Sequence, residues 1–205
     1  MTKTEKPYHH GDLKSALMSE AERILEHDGI QALTLRAAAR GVGVSHTAPQ
    51  NHFGDLTGLL SDLAADGHHR LGDVLASAVA DAGPEPRLRL RAMGKAYVAF
   101  ARAHPGLFTL MFRSERLDSS RPSLHEAIVA SRQVLRQAVA GAAGTAVEGD
   151  PKTLAAQATA AWALVHGYTM LMLEGRLKGT LAMLPGEDAE SFFDAVLGAM
   201  QWRES

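Results

Sequence analysis

The sequence of 205 residues contains no cysteine. This absence excludes disulfides, thiolate metal sites and a cysteine nucleophile, and it fits the reducing cytoplasm, where we expect the protein to act. Aromatic residues make up only 5% of the chain. Alanine and leucine dominate instead, which favours helices over strands. Since no segment has the alternating pattern of a strand, the sequence predicts an all-α fold.

Long apolar runs are also missing from the sequence. No run of about 18 apolar residues is available to span a bilayer, and residues 1–12 lack the apolar segment of a secretory signal. We therefore expect no membrane partner. The net charge is −2, which argues against unspecific coating of nucleic acid by the whole protein surface.

Metal and enzyme sites have no supporting pattern in the sequence. The histidine pairs at positions 9–10 and 68–69 are adjacent, whereas two histidines that bind a metal from one helix need a spacing of four. No glycine-rich phosphate loop follows a strand, and no order of serine, histidine and aspartate indicates a nucleophile. We expect no cofactor, no metal and no catalysis.

Capping residues, prolines and glycines divide the chain into about nine predicted helices. Ser123 and Glu126 have the spacing of a capping box, and Asp150 followed by Pro151 combines a cap with a first-turn proline. The sequence predicts a small N-terminal bundle and a larger C-terminal one. The expected helices cover residues 12–28, 35–42, 46–52, 55–83, 88–103, 105–112, 123–140, 150–177 and 187–202.

Residues 33–53 have the outline of a helix-turn-helix. The run 35–42 is rich in alanine and arginine, and Thr34 is a suitable N-cap for it. Gly43 can adopt the left-handed conformation that ends this helix, and Ser45 can cap the next one. The pattern alone also fits a helical corner used only for packing.

Polar side chains collect on the second helix of this motif. Spacings of three and four place His46, Thr47, Gln50 and Asn51 on one face, where a helix that reads bases needs them. Between Gly29 and Gly54 there is no acidic residue, while Arg36, Arg40, His46 and His52 lie inside this window. An acid-free window in a mildly acidic chain fits a small surface that faces phosphates.

These motifs together resemble the TetR family of bacterial transcription regulators. The resemblance begins with a first helix that ends at Gly29, continues through LTLRAAARGVGVSHTAPQNHF, and includes the following helix, which Asp55 leads and which contains Leu59 and Leu60. One branch of the family also has an opening like residues 8–13, a tract like residues 96–112, and an element like Trp162 to His166-Gly167. The resemblance thus covers nearly the whole chain.

The resemblance implies a homodimer that binds a palindromic, double-stranded DNA operator. Residues 1–55 would form the helix-turn-helix domain, and residues 56–205 would dimerise and bind a small molecule. The regulator would most simply be a repressor that leaves its operator when the small molecule binds. Carried over by position, the residues that face the operator are Arg36, Ser45, His46, Thr47, Gln50 and Asn51, with His52 beside a phosphate.

Two positions depart from the family pattern. Gln50 stands where the family usually has tyrosine, and Leu56 stands where it usually has lysine. Both usual residues commonly contact phosphate, so their loss removes affinity that does not depend on sequence. An alternative therefore stays open: a small-molecule-binding helical dimer with weak or lost DNA binding that acts through a protein partner.

Several apolar and aromatic residues of the C-terminal part are candidates for a ligand pocket. His166 follows Trp162 by one helical turn and would supply a polar group in an apolar pocket. Methionine would make the lining adaptable, and we expect a small apolar or amphipathic effector. A plain core role is the alternative for each residue. The candidates are Phe100, Phe108, Met111, Phe112, Trp162, His166 and Met170.

The last two long helices are candidates for the dimer interface. Small residues at positions 155, 156, 159 and 160 would permit close helix packing, and Leu197 and Met200 would add apolar area. Packing within one chain is the alternative for each of them.

Overall fold

A computed structural model describes residues 10–142 and 150–199, and within these ranges it contains ten α-helices, one 3-10 turn and no strand. The prediction of an all-α fold is confirmed. The helices are α1 (His10–His27), α2 (Leu35–Val42), α3 (Ala48–Phe53), α4 (Leu56–Asp81), α5 (Pro86–Ala103), α6 (Pro105–Met111), α7 (Pro122–Ala142), α8 (Pro151–Leu173), α9 (Lys178–Leu181) and α10 (Ala189–Ala199), and the 3-10 turn is Ser114–Arg116.

Four of the predicted caps act as the sequence indicated. The Thr34 hydroxyl accepts a hydrogen bond from the Ala37 amide at 3.0 Å and so starts α2. Gly43 ends that helix with φ of 76°, a conformation that glycine adopts without a steric penalty. Asp55 accepts from the Gly58 amide at 2.8 Å at the start of α4. Asp150 accepts from the amides of residues 152 and 153 before α8.

Two helix starts differ from the prediction. α5 begins at Pro86 rather than residue 88, because the Glu85 carboxylate accepts from the Leu88 amide at 2.6 Å and allows proline in the first turn. α7 begins at Pro122, so the predicted capping box at Ser123 is wrong. The carbonyl of Arg121 accepts the first bond of this helix, from the amide of residue 124, and Ser123 lies inside the first turn.

Other boundaries shift by a few residues. α1 begins at His10 instead of residue 12, and α3 begins at Ala48 because residues 46–47 form a turn. α8 ends at Leu173, since Gly175 adopts φ of 70°, and the short helix α9 occupies part of the predicted connection. Tyr8 and His9 of the opening motif lie outside the described residues, as do Met200, Trp202 and most of the predicted loop at 141–149.

The chain divides into two compact units. The first unit comprises the described residues up to Gly67 together with Gly106–Glu126, and the second comprises His68–Pro105 together with the described residues from Ala127 onward. The boundary between units therefore falls inside α4, at the start of α6 and inside α7. The predicted functional domains, 1–55 and 56–205, concern which residues bind DNA and which bind a ligand, and that division stays a prediction.

Each unit has its own apolar interior. The first unit buries leucines of α1 and α4 with Phe53 and Phe108, each of which is less than 5% exposed. In the second unit, Val98 of α5, Tyr168 of α8 and Phe193 of α10 form the centre of the cluster. Gly94 permits this packing, since a Cβ there would lie 3.3 Å from the Phe193 ring. Within the described part of the chain, no helix has both the length and the apolar composition needed to cross a membrane.

Candidate functional sites

The first candidate site is the pair of helices α2 and α3. Ala38 and Ala39 on α2 are buried, and so are Pro49 and Phe53 on α3. These four residues fix one face of each helix against the first unit and leave the opposite faces open. Pro49 lies in the first turn of α3, where proline needs no hydrogen-bond partner for its missing N–H group. The fold thus holds a short exposed helix on a rigid support.

Most of the predicted DNA-facing residues are exposed. Six of the seven are exposed: Arg36, Ser45, His46, Thr47, Gln50 and Asn51. His52 is half-buried, and its ring centroid lies 6.1 Å from that of Phe53. The Ser45 and Thr47 hydroxyls lie 2.8 Å apart, and the Thr47 amide donates to Ser45. These two residues therefore also shape the turn before α3.

Two arginines of α2 are candidates for contacts with phosphates. Arg36 and Arg40 are both exposed, and no acidic residue occurs between positions 29 and 54. The Glu20 carboxylate of α1 lies against α2, however, since a Cβ at Gly41 would overlap it. Leu56, at the first position of α4, is half-buried and supplies no positive charge, so the number of phosphate-binding groups is smaller than in the family pattern.

The second candidate site lies in the second unit, where α5 and α8 meet. The Tyr97 hydroxyl lies 3.0 Å from Nδ1 of His166, and the rings of Trp162 and His166 have their centroids 5.6 Å apart. Burial raises the pKa of the Tyr97 phenol, although a hydrogen bond with Trp162 lowers it by a smaller amount. Burial also lowers the pKa of the His166 imidazole. Both groups therefore stay neutral near pH 7, and Nδ1 of His166 can accept a hydrogen bond from the Tyr97 hydroxyl.

Only some of the predicted ligand-contacting residues belong to the second unit. Phe100 is 5% exposed in the second unit, and Met170 is half-buried there on α8, one turn after His166. Gly167 is exposed, and a Cβ at this position would meet nothing within 4 Å. The second unit thus contains Phe100, Trp162, His166 and Met170 from the predicted set.

The remaining predicted ligand residues belong to the first unit. Phe108 is 0% and Met111 is 3% exposed, and the ring of Phe112 lies 5.0 Å from that of Phe108 between centroids. Met111 also packs against α4 at Gly67, where a Cβ would lie 2.7 Å from its sulfur atom. A ligand role for these three residues stays a prediction, and the structure gives Phe108 and Met111 a core position.

Tyr97 and Arg132 are two residues of this site that the sequence pattern does not indicate. The available signal was chemical, since a buried tyrosine hydroxyl needs a hydrogen-bond partner. Arg132 of α7 places its guanidinium carbon 5.9 Å from the centroid of the Trp162 ring, a cation–π distance. No pattern in the local sequence predicts that Arg132 lies beside Trp162.

A third feature is the open face of α8. From Thr153 to Leu173 this helix contains no aspartate, glutamate, lysine or arginine, and a helix that is apolar all round is normally covered. Yet Leu171 is 44% exposed. The predicted interface residues Ala155, Ala156, Thr159 and Ala160 are also exposed, while Leu197 on α10 is half-buried.

Comparisons with known proteins bear on all three features. Residues 90–200 match the family described as "Tetracyclin repressor-like, C-terminal domain". Among solved structures, a protein of unknown function from Rhodococcus sp. RHA1 is 37% identical with a TM-score of 0.77, and the alignment covers 95% of this chain and 96% of that one.

Two further solved structures show the same fold at lower identity. The putative regulatory protein SCO4313 is 22% identical with a TM-score of 0.75, over 98% of this chain and all of the other. The TetR family transcriptional regulator PfmR from Thermus thermophilus is 15% identical with a TM-score of 0.63, over 91% of this chain and 99% of that one. A comparison with curated proteins found no match.

Proposed function

Since this chain belongs to the TetR family of transcriptional regulators, we propose that it is a cytoplasmic homodimer that represses transcription by binding a palindromic operator. The observation that carries this proposal is the exposure of six polar or basic residues on α2, on α3 and in the turn between them. In a dimer, two such sides would bind half-sites about 34 Å apart in successive major grooves.

Base recognition is the role proposed for Arg36 and Gln50. An arginine pairs with two acceptors of guanine, and a glutamine pairs with adenine, each discriminating by about 1–3 kcal/mol. Both side chains are exposed, so each is free to reach a base edge. His46, Thr47 and Asn51 would complete the contacts, and Ser45 and His52 would approach the backbone.

Arg36→Ala and Gln50→Ala are each expected to weaken operator binding about 5- to 150-fold while changing affinity for random DNA far less. The measurement is a fluorescence anisotropy titration with the DNA upstream of the protein's own gene and with a random duplex of equal length. Arg136→Ala, which removes an exposed arginine from α7, is the matched control and should retain both affinities. Equal losses on the two duplexes would refute a base-reading role.

The same titration separates the two candidate functions. Gln50 and Leu56 remove two usual phosphate contacts, so we expect a shallow dependence of the binding constant on salt. A specific complex at about 50 mM salt supports the repressor. Complete absence of a specific complex at that salt favours the second candidate, a helical dimer that binds a small molecule and acts through a protein partner.

The effector that we propose is small, uncharged and amphipathic. Among the described residues of the second unit, the buried side chains include no aspartate, glutamate, lysine or arginine. A charged ligand buried away from the exposed Arg132 guanidinium would lack a partner of opposite sign, and this costs several kcal/mol, roughly, even after relaxation. The neutral Tyr97 and His166 side chains would instead bind a hydroxyl or carbonyl group beside the Trp162 ring.

We expect 1-decanol to displace the neutral dye Nile red from the protein at about tenfold lower concentration than decanoate or decylammonium, because only the charged competitors pay for desolvation. Trp162→Leu should weaken binding of the dye. Leu88→Gln, which removes a leucine that is 52% exposed on α5, controls for surface adsorption and should have no effect. A lower displacing concentration for either ion would contradict an uncharged effector.

Release from the operator would follow from two states of the dimer. Helix α4 contains residues of both units. A ligand that favours one placement of α4 would therefore change the separation of the two copies of α3 in the dimer. The effector would therefore bind one state more tightly than the other. By linkage, operator DNA must weaken effector binding by the same factor.

A further inference from the structure

A buried carboxylate organises the interior of the first unit. Asp62 on α4 is only 6% exposed. One of its carboxylate oxygens lies 2.8 Å from the Lys14 ammonium of α1, and the other lies 2.7 Å from Nε of Arg121, the residue before α7. Burial by itself would raise the pKa of Asp62, but the two cations lower it below its ordinary value. The carboxylate is therefore ionised and holds two separate segments at once.

Lys14 connects this carboxylate to the end of α3. Its ammonium nitrogen lies 5.7 Å from the centroid of the Phe53 ring, within the range of a cation–π interaction. Phe53 is the last residue of α3 and is 3% exposed. The ammonium therefore contacts Asp62 on one side and the ring that anchors α3 on the other.

Arg121 connects the same carboxylate to the loop after α6. The neighbouring α4 residue, Ser61, accepts a hydrogen bond from the Asp118 amide at 2.9 Å and is fully buried. Two consecutive residues of α4 thus fasten this loop, and Asp62 carries the connection on to α1 and α3. The loop lies far from α3 in sequence but is linked to it through one ion-pair cluster.

We propose that Lys14, Asp62 and Arg121 are positioning residues that set the orientation of α3 for operator binding. The inference rests on the proposed DNA-binding function and deepens it. None of the three needs to touch DNA. Removal of Lys14 or Arg121 leaves the buried Asp62 carboxylate without a full partner, which is the costly case for a buried ion pair. Removal of Asp62 releases both cations from α4. In each case the local result is a looser Phe53 and a less ordered α3.

A purely electrostatic role makes the opposite prediction. Asp62→Asn removes a negative charge from a DNA-binding unit and would then tighten binding to every duplex. A positioning role predicts about tenfold weaker binding to the operator, with unchanged or tighter binding to random DNA. The ratio of the two affinities therefore distinguishes the two explanations.

The experiment compares Asp62→Asn, Lys14→Gln, Arg121→Gln and Lys14→Arg in the full-length protein. Anisotropy titrations give the ratio of operator to random-DNA affinity, and hydrogen exchange with mass spectrometry follows the amides of residues 46–55 without DNA. The first three variants should lower the ratio and speed exchange in this segment. Lys14→Arg keeps the charge and the cation–π contact and should restore at least half of the ratio. If Asp62→Asn does not fold, the Lys14 and Arg121 variants decide.

Arg23→Gln is the matched control, because it breaks the exposed pair between Arg23 and Glu20 on α1 and should change neither readout. Unchanged exchange in residues 46–55 of the three variants overturns the inference, as does exchange that rises equally throughout the protein. If the wild type forms no operator complex, the proposed function fails, and the exchange measurement still decides whether these residues order α3.

Discussion

Gly58→Ala is expected to destabilise the protein by about 2–4 kcal/mol and to abolish operator binding, because a Cβ has no space at this position. It would overlap the carbonyl oxygen of Phe53 and lie 3.0 Å from a guanidinium nitrogen of Arg121. The carbonyl belongs to the backbone at the end of α3, so the junction of α3 and α4 itself must shift. Chemical denaturation monitored by circular dichroism measures the change in unfolding free energy.

Gly72→Ala is the matched control in the same helix. A Cβ there would lie 3.8 Å from the nearest atom, Cα of Ser131, which is an ordinary van der Waals distance. Alanine in a helix interior is favoured over glycine by about 0.5–1 kcal/mol, so this variant should be slightly more stable than the wild type. Similar stabilities for the two variants would show that α3 and α4 are not joined as described.

For the homodimer proposed above, Ala160→Glu is expected to convert the assembly to a monomer at micromolar concentration. Ala160 is exposed on the uncharged face of α8, and a dimer would bring two copies of this face together around a two-fold axis. Two buried glutamates of like charge would then oppose association. Loss of the second protomer's α3 would weaken operator binding about 10²- to 10⁴-fold, since the two half-sites would no longer be bound by one linked molecule.

Light scattering during size-exclusion chromatography measures the mass of the assembly directly. Gln133→Glu places the same charge on an exposed position of α7 and should leave the mass and the operator affinity unchanged. A dimeric Ala160→Glu protein would show that the interface lies elsewhere, and α8 would then need another explanation for its uncharged open face.

Operator affinity alone does not tell these defects apart, but the accompanying measurements do. Gly58→Ala should remain dimeric wherever it folds, because its clash lies in the first unit. Ala160→Glu should leave α3 ordered and lower the mass of the assembly to that of a monomer. Asp62→Asn should keep its mass and loosen only residues 46–55. Each feature of the proposed regulator therefore has its own physical readout.

The sequence by itself determined the helical class, the helix-turn-helix and most of the helix boundaries to within about two residues. These features depend on interactions between residues a few positions apart, such as the Thr34 cap, the left-handed Gly43 and the Asp150 cap. The exposure of Asn51 was equally predictable, since helical spacing places it opposite Pro49 and Phe53, which are buried. Local geometry of this kind recurs in many proteins, so a single sequence is enough to predict it.

Only the tertiary structure decided which distant residues meet. Tyr97 and His166 are 69 residues apart, Asp62 and Arg121 are 59 apart, and the Glu26 carboxylate accepts from the Gly106 amide 80 residues away. Ser123 has the spacing of a cap but does not act as one, because α7 already begins at Pro122 and the preceding residue, Arg121, forms an ion pair with Asp62. Such pairings depend on how packed helices bring side chains together. The pattern of polar and apolar residues along the sequence does not specify the distance between two such side chains.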